Sequence, residues 1–166
     1  MTLRPGRQGF KPRRARLLVL GLGNMLLADD GVGVLAAQAF AARSRVGVLV
    51  AECGTATLSA LPLLEWAERV IIVDALAAGG APGTLYWGSI EVGNVRTPPS
   101  SIHDADLAAT LTFLRREAMP TSIYLLGIEP LSLELGWGLT APLRDALPRV
   151  LSELETHVTR LRHWND

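Results

Sequence analysis

The stretch LLVLGLGNMLLADDGVGVLAAQAF, residues 17–40, decides the fold. It opens on Leu17-Leu18-Val19-Leu20, a continuous apolar run of the kind expected for a strand buried on both faces. A glycine turn, Gly21-Leu22-Gly23-Asn24, follows. Residues 31–42 (GVGVLAAQAFAA) then read as a helix, with Asp29 or Asp30 at its N-cap. Strand, glycine turn and helix make the first half of a βαβ unit.

The same alternation runs on in both directions. Residues 46–51 read as a second strand and residues 57–67 as a second helix, which Pro62 kinks or restarts. Val70-Ile71-Ile72-Val73 is a third strand ending at Asp74, and Thr84-Leu85-Tyr86-Trp87 a short strand suited to an edge. A Pro- and Ser-rich loop, residues 95–102, leads to a helix from His103 to about residue 117, with Ser100 or Ser101 as possible caps. Residues 122–127 are the last strand, and residues 141–162 a terminal helix starting near Pro142. The expected architecture is α/β: one three-layer α/β/α domain over residues 16–166, with a mostly parallel twisted sheet of about five strands and a possible antiparallel edge.

Composition excludes several classes. With 166 residues, 49% hydrophobic and 19% charged, the chain has the material for one buried core and is not disordered. Its longest near-apolar run, residues 17–28, falls short of the roughly 18 or more residues of a spanning helix, so no membrane role is expected. Arg13-Arg14 ahead of that run mimics a secretory signal, but Gly21, Gly23 and Asn24 within it and the acids behind it favour a first strand. The net charge of zero gives no reason to expect nucleic-acid binding. It hides six basic groups and no acid in residues 1–16, so residues 1–15 read as a basic, flexible arm. The single cysteine, Cys53, excludes an intramolecular disulfide and a CxxC site, and fits a reducing, cytoplasmic setting.

Ligands of such sheets bind beyond the carboxyl ends of the parallel strands. Gly21–Asn24 with Asp29 and Asp30, then Glu52–Thr55, Asp74, and Glu129-Pro130 all follow or close a strand, so they share one edge. GLGNML is not a dinucleotide fingerprint: Leu26 stands where the third glycine belongs, and Asp29 and Asp30 would repel a pyrophosphate. An aspartate before a helix is ordinarily an N-cap worth about 1 kcal/mol, but one cap leaves the second acid unassigned. Asp74 either serves chemistry or caps the next loop. His103 alone reads as a surface or capping residue, and His157 and His163 as solvated. Two carboxylates and an imidazole from separate loops would suit an open metal site. No GxSxG, HExxH or GxxxxGK[ST] motif occurs, and Cys53 reads as a structural thiol before a nucleophile.

Residues 17–40, then CGTATLSALPLLEWAERVIIVDAL (53–76), APGTLYW (81–87), SSIHDADLAATL (100–111) and LLGIEPLSLELGWGLT (125–140) together resemble the hydrogenase maturation proteases. The resemblance implies an endopeptidase that trims the C-terminal extension of a nickel-iron hydrogenase large-subunit precursor after nickel insertion. It implies that Asp30, Asp74 and His103 form the metal-contacting, catalytic set, the nickel coming with the precursor. Gly21, Gly23, Asn24, Cys53, Gly54 and Thr55 become a candidate substrate loop. Two departures stand out: Asp30 replaces the Glu of many relatives, and Cys53-Gly54-Thr55 replaces a frequent Gly-Gly-Thr. The alternatives are a non-catalytic nickel- or precursor-binding chaperone and, further off, a nucleotide-binding α/β enzyme.

Overall fold

In a computed structural model, residues 16–43, 47–90, 104–113 and 120–163 are described. The strands are β1 (Leu17–Leu22), β2 (Val48–Gly54), β3 (Arg69–Ala75), β4 (Leu85–Ile90) and β5 (Ser122–Ile128). The helices are α1 (Val32–Ala41), α2 (Leu61–Trp66), α3 (Asp104–Thr112) and α4 (Ala141–His163). Short 3-10 turns, Ala28–Gly31 and Thr57–Ala60, lead into α1 and α2. The basic arm and the caps expected at Ser100 and Ser101 lie outside the described residues.

The sheet order is β2-β1-β3-β5-β4. β1 pairs in parallel with β2 and β3, and β3 with β5, whereas β4 is the antiparallel edge. β1 and β3 are buried along their whole length, and the edge strand β2 is half-buried to exposed. Period-2 alternation divides the core. Leu17, Val19, Ile71 and Val73 face one layer with Phe40 of α1 and Val150 and Leu154 of α4. Leu18, Leu20, Val70 and Ile72 face the other with Leu64 of α2 and Leu107 and Leu111 of α3. Two packed apolar faces explain why β1 and β3 show no polar stripe.

Two glycines bring α1 unusually close to the sheet. A Cβ on Gly21 would stand 2.3 Å from the Gly33 carbonyl oxygen, and one on Gly33 would stand 2.1 Å from that of Val73. Any larger residue would push α1 off the β1–β3 junction. Gly21 is therefore a strand residue and not part of a loop. β2 also runs further than its apolar stretch, through Glu52, Cys53 and Gly54. Its pairing steps from Gly21–Glu52 to Leu22–Gly54, a bulge that leaves Cys53 without a partner opposite on β1.

Candidate functional site

Strand order reverses about β1: β2 lies on one side and β3 on the other. The crevice outside the carboxyl ends of β1 and β3 is thus the topological switch point, where open α/β sheets bind ligands. Asp74, 3% exposed, is the penultimate residue of β3, and its Oδ1 accepts the Ala75 amide at 2.9 Å. By alternation it lies on the same sheet face as Val70 and Ile72, the face that α2 and α3 cover. Asp30 is equally buried, and its Oδ2 accepts the Asn24 amide at 2.7 Å. The 3-10 turn carrying it packs against β3, because Gly33 lets α1 descend to the Val73 carbonyl. Two buried carboxylates are thus tied to β3, Asp74 as a residue of the strand and Asp30 from the turn packed against it.

The loop between them is built for this. Asn24 Oδ1 accepts the Leu26 amide, and Leu27 N–H donates to the Asn24 carbonyl. Gly23 has φ +127°, and a Cβ there would stand 1.8 Å from the Asp30 carbonyl oxygen, so only glycine permits the turn. Neither aspartate caps α1. Its N-cap is Gly31, and no side chain caps either that helix or the turn before it. The carboxylates are engaged by loop amides instead. Asp29, fully buried, accepts from the amides of Leu131 (2.9 Å) and Ser132 (3.1 Å) on Oδ2. It also accepts the Thr140 amide at 2.7 Å on Oδ1 and the Thr140 hydroxyl at 2.8 Å on Oδ2. The pair is thus split: Asp30 closes the glycine turn, and Asp29 ties down residues 131–140.

His103 lies outside the described residues. The helix that it precedes, α3, packs on the same face as Asp74 and is fixed there by a buried 2.8 Å hydrogen bond from the Thr110 hydroxyl to Thr57. Cys53 is half-buried, and its Sγ–H reaches the Ala56 carbonyl at 2.9 Å, a contact that closes the turn after β2 around Gly54 and Thr55. Among the described residues, no three His, Cys, Asp or Glu side chains form a metal-binding cluster.

The model of the hydrogenase maturation protease family matches residues 35–157. The chain belongs to that family. It is 35% identical to the hydrogenase expression/formation protein HupD of Rhizobium leguminosarum, over 92% of this chain and 77% of that one. It is 36% identical to the hydrogenase 2 maturation protease of Escherichia coli, over 84% and 90%. The solved structure of the E. coli hydrogenase-maturating endopeptidase HybD superposes with a TM-score of 0.75 at 30% identity, covering 87% of this chain and 93% of that one. The protein is accordingly an endopeptidase of hydrogenase maturation with the single-domain α/β fold of these enzymes.

The protease employs a further acid at this edge structurally. Glu129, just after β5, accepts from the amides of Ala78 (2.9 Å) and Gly79 (3.0 Å) and from the Tyr86 hydroxyl (2.8 Å). Burial pushes its carboxyl up, but Tyr86 and the amides of Ala78, Gly80 and Gly79 prevail and hold it below the ordinary 4.5. The bond to Glu129, helped by burial and the carboxylate charge, raises the Tyr86 hydroxyl in turn, against a smaller opposing pull from Gly80. Both oxygens of Glu129 are thus engaged by the 78–80 loop and β4. Its folded value being lowered, the contribution to stability is present above 4.5 and is lost below it, as pH falls through the folded value. Urea denaturation should show a gap between wild type and Glu129→Gln that is widest at neutral pH and narrows in acid. A gap constant down to acid pH would mean that the charge contributes nothing.

Two features were beyond sequence reading. Tyr86 was legible only as a strand residue, although an aromatic hydroxyl pairing across β4 and β5 suits the acid closing that strand. His157, expected in solvent, stacks on Trp87 with centroids 3.4 Å apart and planes within 4°. The reason is that α4 packs its apolar stripe on the sheet, which brings His157 over Trp87 of β4, itself stacked on Tyr124 of β5. His163 has a side chain outside the described set.

Proposed function

We propose that the protein removes the C-terminal extension of a nickel-iron hydrogenase large-subunit precursor after nickel insertion. In this reading Asp30, Asp74 and His103 contact the nickel that the precursor presents. The observation that supports it is the burial of two carboxylates by the switch-point strands, Asp74 near the carboxyl end of β3 and Asp30 in the turn packed against β3. Oxygen donors from two carboxylates, joined by an imidazole, suit a borderline divalent metal such as nickel. Three ligands from separate elements leave coordination positions for those of the substrate. Unloaded precursor then lacks one of the two halves of the site and escapes cutting. A metal held there supplies Lewis acidity toward a carbonyl or water. The chain's own part is to orient it: the Asn24 amide holds Asp30, and the Ala75 amide holds Asp74. Among the described residues no helix is long and apolar enough to cross a membrane.

The test is direct. The protein is incubated with nickel-loaded and with nickel-free precursor, and intact masses are recorded. Loss of a defined C-terminal peptide from the loaded form alone is the expected result. Stable binding without a mass change would instead indicate a maturation chaperone. His103→Ala should weaken capture of loaded precursor and leave any binding of unloaded precursor as it was. Equal weakening toward both forms would remove the histidine from the nickel site. The purified enzyme should carry little metal. Stoichiometric metal that survives purification, with zinc alone restoring activity on nickel-free precursor, would replace this reading with an ordinary metalloprotease.

A further inference from the structure

Five large apolar side chains stand in solvent on two hydrogen-bonded segments next to the candidate site. Leu135 is 88% exposed, Trp137 79%, Leu131 56% and Leu26 55%, with Leu133 at 37%. Glu134 is the one charged residue between 131 and 140. Isolated exposed leucines are ordinary, but a concentration of this kind marks an interaction surface.

This surface is held in shape. The Ala28 amide donates to the Gly136 carbonyl at 2.8 Å, the Gly136 amide to that of Leu26 at 3.0 Å, and the Asp29 amide to that of Ser132 at 3.1 Å. The Asp29 carboxylate adds four hydrogen bonds to residues 131, 132 and 140. Full burial of a carboxylate is costly unless it is so paired. Here it serves to fix a loop that exposes leucines and a tryptophan. Such preorganisation lowers the ordering cost of binding, and tryptophan is among the residues most enriched in binding hot spots.

Position indicates the occupant. Leu26 lies between Asn24, whose amide holds Asp30, and Asp29, whose carboxylate holds the loop. One short stretch therefore forms both a wall of the candidate nickel site and an edge of the apolar platform. We propose that this platform docks an apolar segment of the large-subunit precursor, so that a correct substrate is recognised at two points, its nickel and an apolar surface beside it. This inference rests on the function proposed above.

The experiment compares wild type with Leu135→Ser/Trp137→Ser in the full chain. It reads steady-state cleavage of nickel-loaded precursor, capture of the precursor by immobilised protein, circular dichroism and light scattering. The expected result is a rise in KM of about tenfold or more at unchanged kcat, with capture weakened in step and with fold and oligomeric state unaltered. Unchanged KM and capture would overturn the platform. So would a wild-type dimer that the variant splits without a change in KM, which would give the surface to a second copy. Failure of the proposed function looks different: wild type itself leaves loaded precursor uncut. Capture then decides alone, the platform standing if the variant binds about tenfold less precursor and falling if it binds equally or if wild type binds none.

Discussion

Asp74→Asn is expected to abolish precursor processing while leaving the fold intact. The substitution keeps the side chain's shape, and the remaining amide oxygen can still accept the Ala75 N–H, now 2.9 Å from Oδ1. What disappears is a negative charge at the end of β3, in a place that is 3% exposed. Changes to residues that merely support a metal ligand cost about 10–100-fold, so if Asp74 contacts the metal as proposed, loss of its charge should exceed about 100-fold in kcat/KM. Circular dichroism and the unfolding midpoint should stay near wild type. Cleavage at an undiminished rate would place Asp74 outside the chemistry and make it a cap of the loop that follows.

Asp29→Asn should show the opposite pattern, with a large loss of stability and a smaller loss of activity. As a simple helix cap it would be worth about 1 kcal/mol. Its actual surroundings predict more. Oδ2 accepts three hydrogen bonds and Oδ1 one, all from residues 131–140. An asparagine must turn its NH2 toward one of these sets of donors, whichever way it is flipped. The buried groups left opposed should cost about 3 kcal/mol, since bonds to charged acceptors are stronger than neutral ones. For a chain of this size that lowers Tm by roughly 6–12 °C. A loss near 1 kcal/mol would mean that the loop is held by its backbone contacts with residues 26–29 and that the carboxylate adds little. Loss of cleavage equal to that of Asp74→Asn, in protein that remains folded, would mean that the roles within the pair are reversed.

The parts of the fold that follow from local pattern were legible in the residues. The apolar runs at 17–20 and 70–73 have nothing polar to show a solvent face, and both proved to be strands buried throughout. The short strand read at 84–87 proved to be the antiparallel edge, which runs on to Ile90, and the terminal helix read from 141 to 162 was found with its start at Ala141. Boundaries were less so. β2 was expected to stop at residue 51, but register with β1 carries it to Gly54 by way of a bulge. Partner-strand hydrogen bonds decide such an end, and propensity does not contain them.

The site divides along the same line. That Asp29, Asp30 and Asp74 follow or close strands at the carboxyl edge of the sheet was readable in the sequence, because the strand ends of a βαβ fold share that edge, and β1 and β3 do pair in parallel. The glycine turn at residues 21–24 was legible too, but that only glycine fits at Gly23 came from its φ of +127° and the approach of the Asp30 carbonyl. Which aspartate did what was decided only in three dimensions. The donors to Asp29 come from residues about a hundred positions away, and those to Glu129 from a loop some fifty positions earlier. Local rules favoured an N-cap for the first, but long-range amides outnumbered the few that a helix end could offer. Hydrogen-bond partners of buried charges are chosen by packing, since a carboxylate leaves water only where several donors already converge. That convergence is a property of the folded chain.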